Sequence, residues 1–409
     1  MTTVGADPAP SPSAPPCVHR PPCPGCPRYG EPGLAAEARD ALSALAADAG
    51  LPPPVVEEGA ATGFRHRARL MLRGRAAAPK LGLFEAGTHR VVDVPRCRVH
   101  HEAVNEVAAH VRRLVRALRL APYSDRRHAG LVRALQVVVE RPTQRVQVVL
   151  VTNEAAPGAA TSRLLEALAE ALGPKLQGLH WNGNPERTNV ILGPAWRRIR
   201  GEEAVRERIG GADVFFPPGA FGQSHLDLAD RLVAHVHGLV PESARVAELY
   251  AGCGAIGLGL AAQRHAVVFN ERGEAALRGL ALGLSALSAD ARASAAVRPG
   301  PAAEEVALLR DCDVAIVDPP RKGLDAALLA ALCEAPPPRL VVVSCGLGAF
   351  LREASALRAA GLRLASLRAF ALLPYTEHVE TVACFERERA PSSARNASPA
   401  PFHSSGRSK

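Results

Sequence analysis

The sequence predicts an α/β fold: a doubly wound, mainly parallel sheet in the second half of the chain, preceded by a cysteine-bearing segment and a small α+β unit. Three observations predict it. Past Phe215-Phe216-Pro217-Pro218, near-continuous apolar runs alternate with helical patterns to about residue 388, which is how a parallel sheet covered on both faces reads in sequence. Three of those runs, residues 246–250, 313–317 and 340–344, end in a glycine-rich turn, a carboxylate and a thiol, and open α/β sheets do their chemistry at such strand ends. Ahead of them, residues 62–99 alternate polar and apolar side chains as β-hairpins do.

At 409 residues with 47% hydrophobic side chains, the chain supplies cores for two or three domains. Residues 1–16 and 389–409, rich in Pro, Ser, Ala and Gly without periodic hydrophobicity, are expected to be disordered. The first helix is predicted over 34–47, apolar at Leu34, Ala38, Leu42 and Leu45. The hairpins follow, with an arginine-rich outer face that includes Arg65, Arg67, Arg69, Arg73 and Arg75. A helix over 102–120, a strand pair at 134–140 and 145–152, a helix over 162–172 and shorter strands to about residue 199 make the α+β unit. The predicted division is residues 17–97 for the cysteine loop and hairpins, 98–212 for the α+β unit and 213–388 for the doubly wound domain.

A net charge of +9 with pI near 9.4 favours a polyanionic partner such as nucleic acid. No stretch approaches the ~18 consecutive apolar residues of a membrane span, and residues 1–16 lack a signal-peptide core, so a cytoplasmic protein is expected. Nine cysteines in a chain of this size do not make a disulfide scaffold; in a reducing compartment, clustered ones point to metal binding or catalysis.

Glu248-Leu249-Tyr250-Ala251-Gly252-Cys253-Gly254-Ala255-Ile256-Gly257 puts glycines where a strand must turn sharply into a helix and let a ligand touch the backbone. Glu271 ends the next strand, close to the ~20-residue offset at which an acid meets ribose hydroxyls. Glu248 would repel a pyrophosphate and better suits the positively charged sulfonium of S-adenosylmethionine. Asp318-Pro319-Pro320 holds a carboxylate rigidly, because two prolines fix φ and delay the next helix. Cys345 emerges where strand 340–344 ends, placed as a nucleophilic thiol with the following turn's backbone N–H groups to help it ionise. Glu380, just ahead of a closing strand, is a candidate base. Near the amino terminus, Cys17, Cys23 and Cys26, with Cys97 farther along, can complete either an iron–sulfur cluster or a zinc tetrahedron, and generic coordination chemistry does not choose between them.

Together these segments resemble the RNA uracil-C5 methyltransferases, which make 5-methyluridine in ribosomal and transfer RNA. The likeness runs from about residue 17 to 387 and rests on five ordered motifs: Phe216-x-x-x-x-Phe221-Gly222-Gln223-Ser224-His225, the turn from Glu248 to Gly257, Asp318-Pro319-Pro320-Arg321-x-Gly323, Ser344-Cys345 followed by Leu351-Arg352-Glu353, and His378-Val379-Glu380. The resemblance implies a class I S-adenosylmethionine methyltransferase domain. It implies Cys345 as nucleophile, Glu380 as the proton-abstracting base, Gln223, Tyr250, Glu271 and Asp318 as cofactor-binding residues, and Phe221 stacked on an extruded base.

The cysteine spacing resembles the iron–sulfur form of the family, implying a 4Fe–4S cluster on Cys17, Cys23, Cys26 and Cys97 with an architectural role. The implied substrate is 23S ribosomal RNA, with transfer RNA as the alternative and the hairpin arginines as phosphate contacts. Only sixteen residues precede Cys17, so the small β-barrel RNA-binding module of some relatives is expected to be absent, and a monomer is expected. Three positions depart from the family pattern: His225 for Asn, Gly346-Leu347 for Asn-Pro, and Ala255 for a polar residue. They leave a second reading open, an RNA-binding protein on the same fold without catalysis.

Overall fold

The computed structural model describes residues 16–387. The ends expected to be disordered, 1–16 and 389–409, lie outside the described residues apart from Pro16. The chain enters through helix α1 (Ala36–Asp48) and strand β1 (Val55–Glu57). Strands β2 (Arg67–Arg75), β3 (Ala78–Phe84) and β4 (Val91–Asp93) form the hairpins, followed by helix α2 (Glu102–Ala117). Strands β5 (Val132–Val139) and β6 (Val146–Thr152), helix α3 (Ala159–Leu172), β7 (Leu176–Gly183) and β8 (Ala195–Gly201) come next. All seven strands from β2 to β8 join one sheet in the order β4-β3-β2-β5-β6-β7-β8.

The hairpins and the α+β unit, expected to divide at residue 97, therefore share a sheet, with β2 antiparallel to β5 and Leu70 opposite Leu135. Packing explains the sharing. Helix α2 buries Val104, Val107, Ala108, Val111 and Val115, a stripe at the helical period, and α3 buries Leu164, Leu165 and Leu168; both cover Leu70, Leu72, Leu135 and Val148 on one sheet face. Leucines at alternate positions of β2 complete that core, which neither hairpin nor α+β unit could close alone.

The hairpin arginines do not form the expected outer face. Arg67 turns inward and donates to the Ala220 carbonyl at 3.0 Å, while Arg65 is enclosed beside Cys26 and Cys97. Arg73 grips Asp125 through two hydrogen bonds of 2.6 and 3.0 Å and lies over the Phe84 and Tyr123 rings. A guanidinium saturated by its own chain has nothing left for phosphate; only Arg69, which donates to Gln136, and Arg75 remain exposed on β2.

The antiparallel ribbon β9 (Val205–Ile209) and β10 (Ala212–Phe216) leads into helix α4 (Leu226–Gly238) and the large sheet. There follow β11 (Arg245–Leu249), α5 (Gly257–Ala262), β12 (Ala266–Glu271), α6 (Glu274–Ala286), α7 (Ala289–Ala293) and β13 (Ala295–Pro299). Then come α8 (Leu308–Asp311), β14 (Val314–Val317), α9 (Ala326–Glu334), β15 (Arg339–Ser344), α10 (Leu347–Ala359), β16 (Leu362–Phe370) and β17 (Glu380–Arg387). The eight strands lie in the order β1-β16-β17-β15-β14-β11-β12-β13, parallel except for β17. Val246 packs toward α4 to α6 and its neighbour Ala247 toward α1, α9 and α10, so both faces are covered, as the apolar runs predict.

One strand and one helix of this layer come from far upstream. Strand β1 pairs parallel with β16, Val55 opposite Arg368, and α1 buries Ala38, Leu42 and Ala46 among residues of β15, α10 and β17. The large sheet and its covering helices thus draw on residues outside the 213–388 limits. The chain leaves β11 toward β12 and β13, then returns to the other side of β11 at β14; that reversal opens a crevice at the strands' carboxyl ends.

Candidate active site at the carboxyl edge of the sheet

Five neighbouring strands deliver the predicted site residues to one row. Glu271 closes β12, Tyr250 follows β11, Asp318 follows β14, Cys345 follows β15, and Glu380 opens β17. At ~4.8 Å between strands, the row spans about 19 Å. The antiparallel register of β15 and β17 pairs Ser344 with Thr381, which sets Cys345 opposite Glu380 one step further on. Residues facing each other in such a ladder have Cβ atoms roughly 5 Å apart on the same side of the sheet. Thr381 Oγ1 donates to the Ser344 carbonyl at 3.3 Å and holds this end of the ladder together.

The electrostatics confirm the convergence. Burial pushes the Cys345 thiol up to about 11, helped next by Glu380 and then Asp318, while Arg321 pulls the other way. Burial likewise raises Asp318 to about 7, and burial followed by Asp318 holds Glu380 well above the usual carboxylate range. The backbone help expected for ionising Cys345 is outweighed: burial first, and then the acids Glu380 and Asp318, keep the resting thiol protonated.

These buried acids leave a signature in stability. Glu248 is raised to about 8 and Asp318 and Glu207 to about 7, in each case chiefly by burial, so the stability they contribute when protonated is full below their ordinary values and gone once pH passes about 8. Buried histidines such as His100 and His180, pushed down to about 4, act oppositely, but their effect is complete by the ordinary histidine value of ~6.5. The ligand-free melting temperature should therefore fall as pH rises from about 6.5 to about 8; a flat or rising profile in differential scanning calorimetry contradicts the buried-acid assignment.

The glycine turn is built to admit a ligand. Gly252 takes φ of +58° with open space where a Cβ would stand. Glu271 accepts from the N–H groups of Gly252 at 2.9 Å, Arg272 at 2.8 Å and Gly273 at 2.6 Å, filling three of a carboxylate's roughly four acceptor sites. Glu248 lies deeper than the sequence suggested: a Cβ on Gly257, the first residue of α5, would stand 2.1 Å from its Oε2. Its carboxylate backs the turn from beneath and does not line the crevice. Tyr250, at φ of +60°, donates its hydroxyl to Asp325 Oδ2 at 3.0 Å, which ties the β11 end to the loop after Asp318.

That loop has a support which the motifs contained but their spacing did not explain. Glu353 of α10 accepts from the Leu324 N–H at 2.7 Å, and Gly323, at φ of +93°, leaves it room. A Cβ on Gly323 would stand 1.9 Å from the Glu353 carboxylate, and one on Gly346 would stand 2.3 Å from the Arg321 carbonyl. Both glycines let the Asp318 and Cys345 loops close on each other, and Gly346 thereby has a steric reason to depart from the family pattern. His225 has one as well: buried, it caps α4 by accepting from the Leu228 N–H at 3.4 Å and stacks on Phe64. Gln223 sits half-buried between exposed Phe221 and Ser224, and no hydrogen bond joins it to the row among the described residues.

Cys17, Cys23, Cys26 and Cys97 line one cavity with His19, Arg65 and His100. Among the described residues no three His, Cys, Asp or Glu side chains converge as a single metal ion requires. The same corner reaches toward Glu380: the Arg28 N–H donates to the Tyr375 carbonyl at 2.9 Å, and the Tyr29 and Tyr375 rings lie 4.8 Å apart, five residues before Glu380. Of the remaining cysteines, Cys253, Cys312 and Cys384 are buried and Cys333 is partly exposed.

No family model matches the chain. An uncharacterized RNA methyltransferase of Protochlamydia amoebophila is 33% identical over 339 residues, covering 82% of this chain and 88% of the relative. Another, of Gloeobacter violaceus, is 30% identical over 374 residues, covering 86% of this chain and 76% of the relative. Among solved structures, the tRNA (uracil-54, C5)-methyltransferase of Pyrococcus abyssi in complex with S-adenosyl-L-homocysteine matches with a TM-score of 0.71, over 85% of this chain and 81% of that one, at 23% identity. That likeness establishes the fold, a class I methyltransferase sheet with an amino-terminal extension. With one third of the aligned residues identical across most of both chains, this protein belongs to the family of RNA methyltransferases.

Proposed function

We propose that this RNA methyltransferase acts in the cytoplasm on carbon 5 of one uridine, using S-adenosylmethionine and a transient bond between Cys345 and the pyrimidine ring. The observation that carries the reading is the placement of Cys345 opposite Glu380 at the ladder's end, with Asp318 on the adjoining strand. Carbon 5 of uracil is a weak nucleophile. Addition of the Cys345 sulfur to carbon 6 converts the ring to an enolate whose electron pair lies on carbon 5. S-adenosylmethionine supplies the electrophilic methyl group, on a positively charged sulfur. Glu380 then takes the carbon-5 proton, the electron pair re-forms the ring double bond, and the carbon 6–sulfur bond breaks to release Cys345.

A resting thiol near 11 fits this chemistry if ionisation waits for a bound cation. Asp318 and Cys345 would both be favoured as anions by a bound sulfonium, so the nucleophile would form once the methyl donor is seated. The open space above Gly252 and the unfilled acceptor site of Glu271 suit the donor's ribose, and Tyr250 holds the adjoining wall. Gln223 and Phe221, on the segment after β10, are assigned the donor and the extruded base respectively.

The substrate we favour is 23S ribosomal RNA, with transfer RNA as the alternative. Four thiols around one cavity suit a cubane, in which each thiolate binds a different iron. Enclosed Arg65, with Cys97 and Cys26 as its electrostatic partners, would balance such an anionic centre. Methyl transfer consumes no electron, so the 4Fe–4S cluster would serve to fix the amino-terminal loop against the segment leading to Glu380.

RNA tritiated at carbon 5 of uridine tests the reading. Each methyl transferred should release about one tritium to water, and mapping of methylated uridines in ribosomal and transfer RNA from cells with and without the protein should locate the site. Methyl incorporation without tritium release moves the reaction to another atom and ends the proposal.

A further inference from the structure

The family's substrate is RNA, yet the arginines of β2 are largely committed within the chain. The free positive charge lies elsewhere. Strand β8, at the edge of the seven-stranded sheet, carries Trp196, Arg197, Arg198 and Arg200, all exposed. With Arg278 of α6, these arginines have no ion pair or hydrogen-bonding side-chain partner among the described residues. Between β8, α6 and the Pro217-Pro218 turn lies a cavity of about 310 Å³, lined by Trp196, Arg197, Arg198, Arg278, the two prolines and the Glu203 carboxylate. His180 closes it, buried and, with burial pushing it down to about 4, neutral at working pH.

We propose that this cavity seats one unpaired nucleotide flanking the target base, its ring stacked on Trp196 and its phosphate held by Arg197, Arg198 and Arg278; the inference rests on the RNA-methyltransferase assignment. The volume sits at the small end of the ~300–1,000 Å³ of ligand pockets, enough for a single nucleotide. Trp196 is 40% exposed, unusual for so large an aromatic ring. Its indole edge lies beside the turn, where a Cβ on Gly219 would stand 3.4 Å from Cζ2. An exposed aromatic ring among unpaired guanidinium groups is the composition of a single-strand stacking site.

Connectivity links this cavity to the crevice by both walls. The turn Pro217-Pro218-Gly219 runs on to Phe221, 75% exposed, and Gln223. Helix α6, which carries Arg278, starts three residues after Glu271. A strand whose target base enters the crevice therefore has a neighbouring nucleotide within reach of Trp196.

The test uses the full chain and fluorescein-labelled oligouridine of about twelve nucleotides, with binding read by anisotropy and by tryptophan emission. The protein has two tryptophans, and the other, Trp181, is buried. RNA should quench the exposed indole, and Trp196→Ala should weaken binding about tenfold while Trp196→Phe, which keeps a stacking face, stays within about threefold. Arg278→Gln should lower the slope of log affinity against log salt by about one. Binding of Trp196→Ala equal to the parent's, or binding of the parent with no quench, overturns the inference. The readouts need no methyl transfer, so a wrong atom assignment for the chemistry leaves them interpretable.

Discussion

Cys345→Ala should lower methyl transfer by at least about four orders of magnitude while leaving S-adenosylmethionine affinity within about threefold. The asymmetry follows from position. The thiol lies at the Glu380 end of the row, while the groups suited to the donor, Gly252 and Glu271, belong to strands on the far side of Asp318. Removing a half-buried sulfur costs little stability, and taking away a weakly acidic neighbour leaves the Asp318 and Glu380 repulsion unchanged. Cys345→Ser should be nearly as inactive, since a hydroxyl in surroundings that hold even a thiol near 11 does not ionise. Single-turnover assays with radiolabelled donor, beside calorimetric titration of the donor, read both halves. Turnover of the alanine variant within about tenfold of the parent removes the covalent step. A parent that binds RNA but not the donor would instead support the non-catalytic reading left open by His225, Ala255 and Gly346.

The row of strand ends was legible because each signal was local: an apolar run long enough for a buried strand, then a residue whose chemistry is wasted in a core. Asp318, Cys345 and Glu271 all announced themselves in this way. Glu380 was legible as a residue but not as the partner of Cys345, because that pairing needs β17 to run antiparallel beside β15, a fact about register. Strand β1 was missed for a related reason. Three residues joined to β16 from more than three hundred positions away carry no periodic signal of their own.

The hairpin arginines failed differently. Alternation in β2 correctly predicted two faces, but composition could not say that the second face would meet Ala220 and Asp125 instead of solvent. The basic face that stays free, on β8, reads in sequence as Trp196-Arg197-Arg198-Ile199-Arg200, a charged strand whose importance depends on the Pro217-Pro218 turn beside it. Glu353 was likewise visible in a motif, while its task of bracing the Leu324 amide appears only once α10 is docked. The position of a residue at a strand end is thus legible in sequence and its partners are not, since partners are set by packing.

Glu380→Gln should stop the reaction at its other end. Thiol addition and methyl transfer do not use the base, so they proceed; the methylated adduct then keeps its carbon-5 proton, and the carbon 6–sulfur bond cannot break by elimination. About one equivalent of RNA per enzyme should remain attached, visible as a slow band on a denaturing gel, while turnover falls by roughly two to four orders of magnitude. The substitution should also ease the first step. Glu380 is the largest charged contributor to the raised Cys345 thiol, and a neutral amide removes it, so alkylation of the resting thiol by iodoacetamide should quicken at a fixed alkaline pH, where the raised Glu380 carboxyl is ionised. Faster alkylation with no adduct would keep the electrostatic coupling but deny Glu380 the role of base. An adduct that persists in the Cys345→Ala, Glu380→Gln double variant would place the bond on another residue and remove Cys345 as the nucleophile.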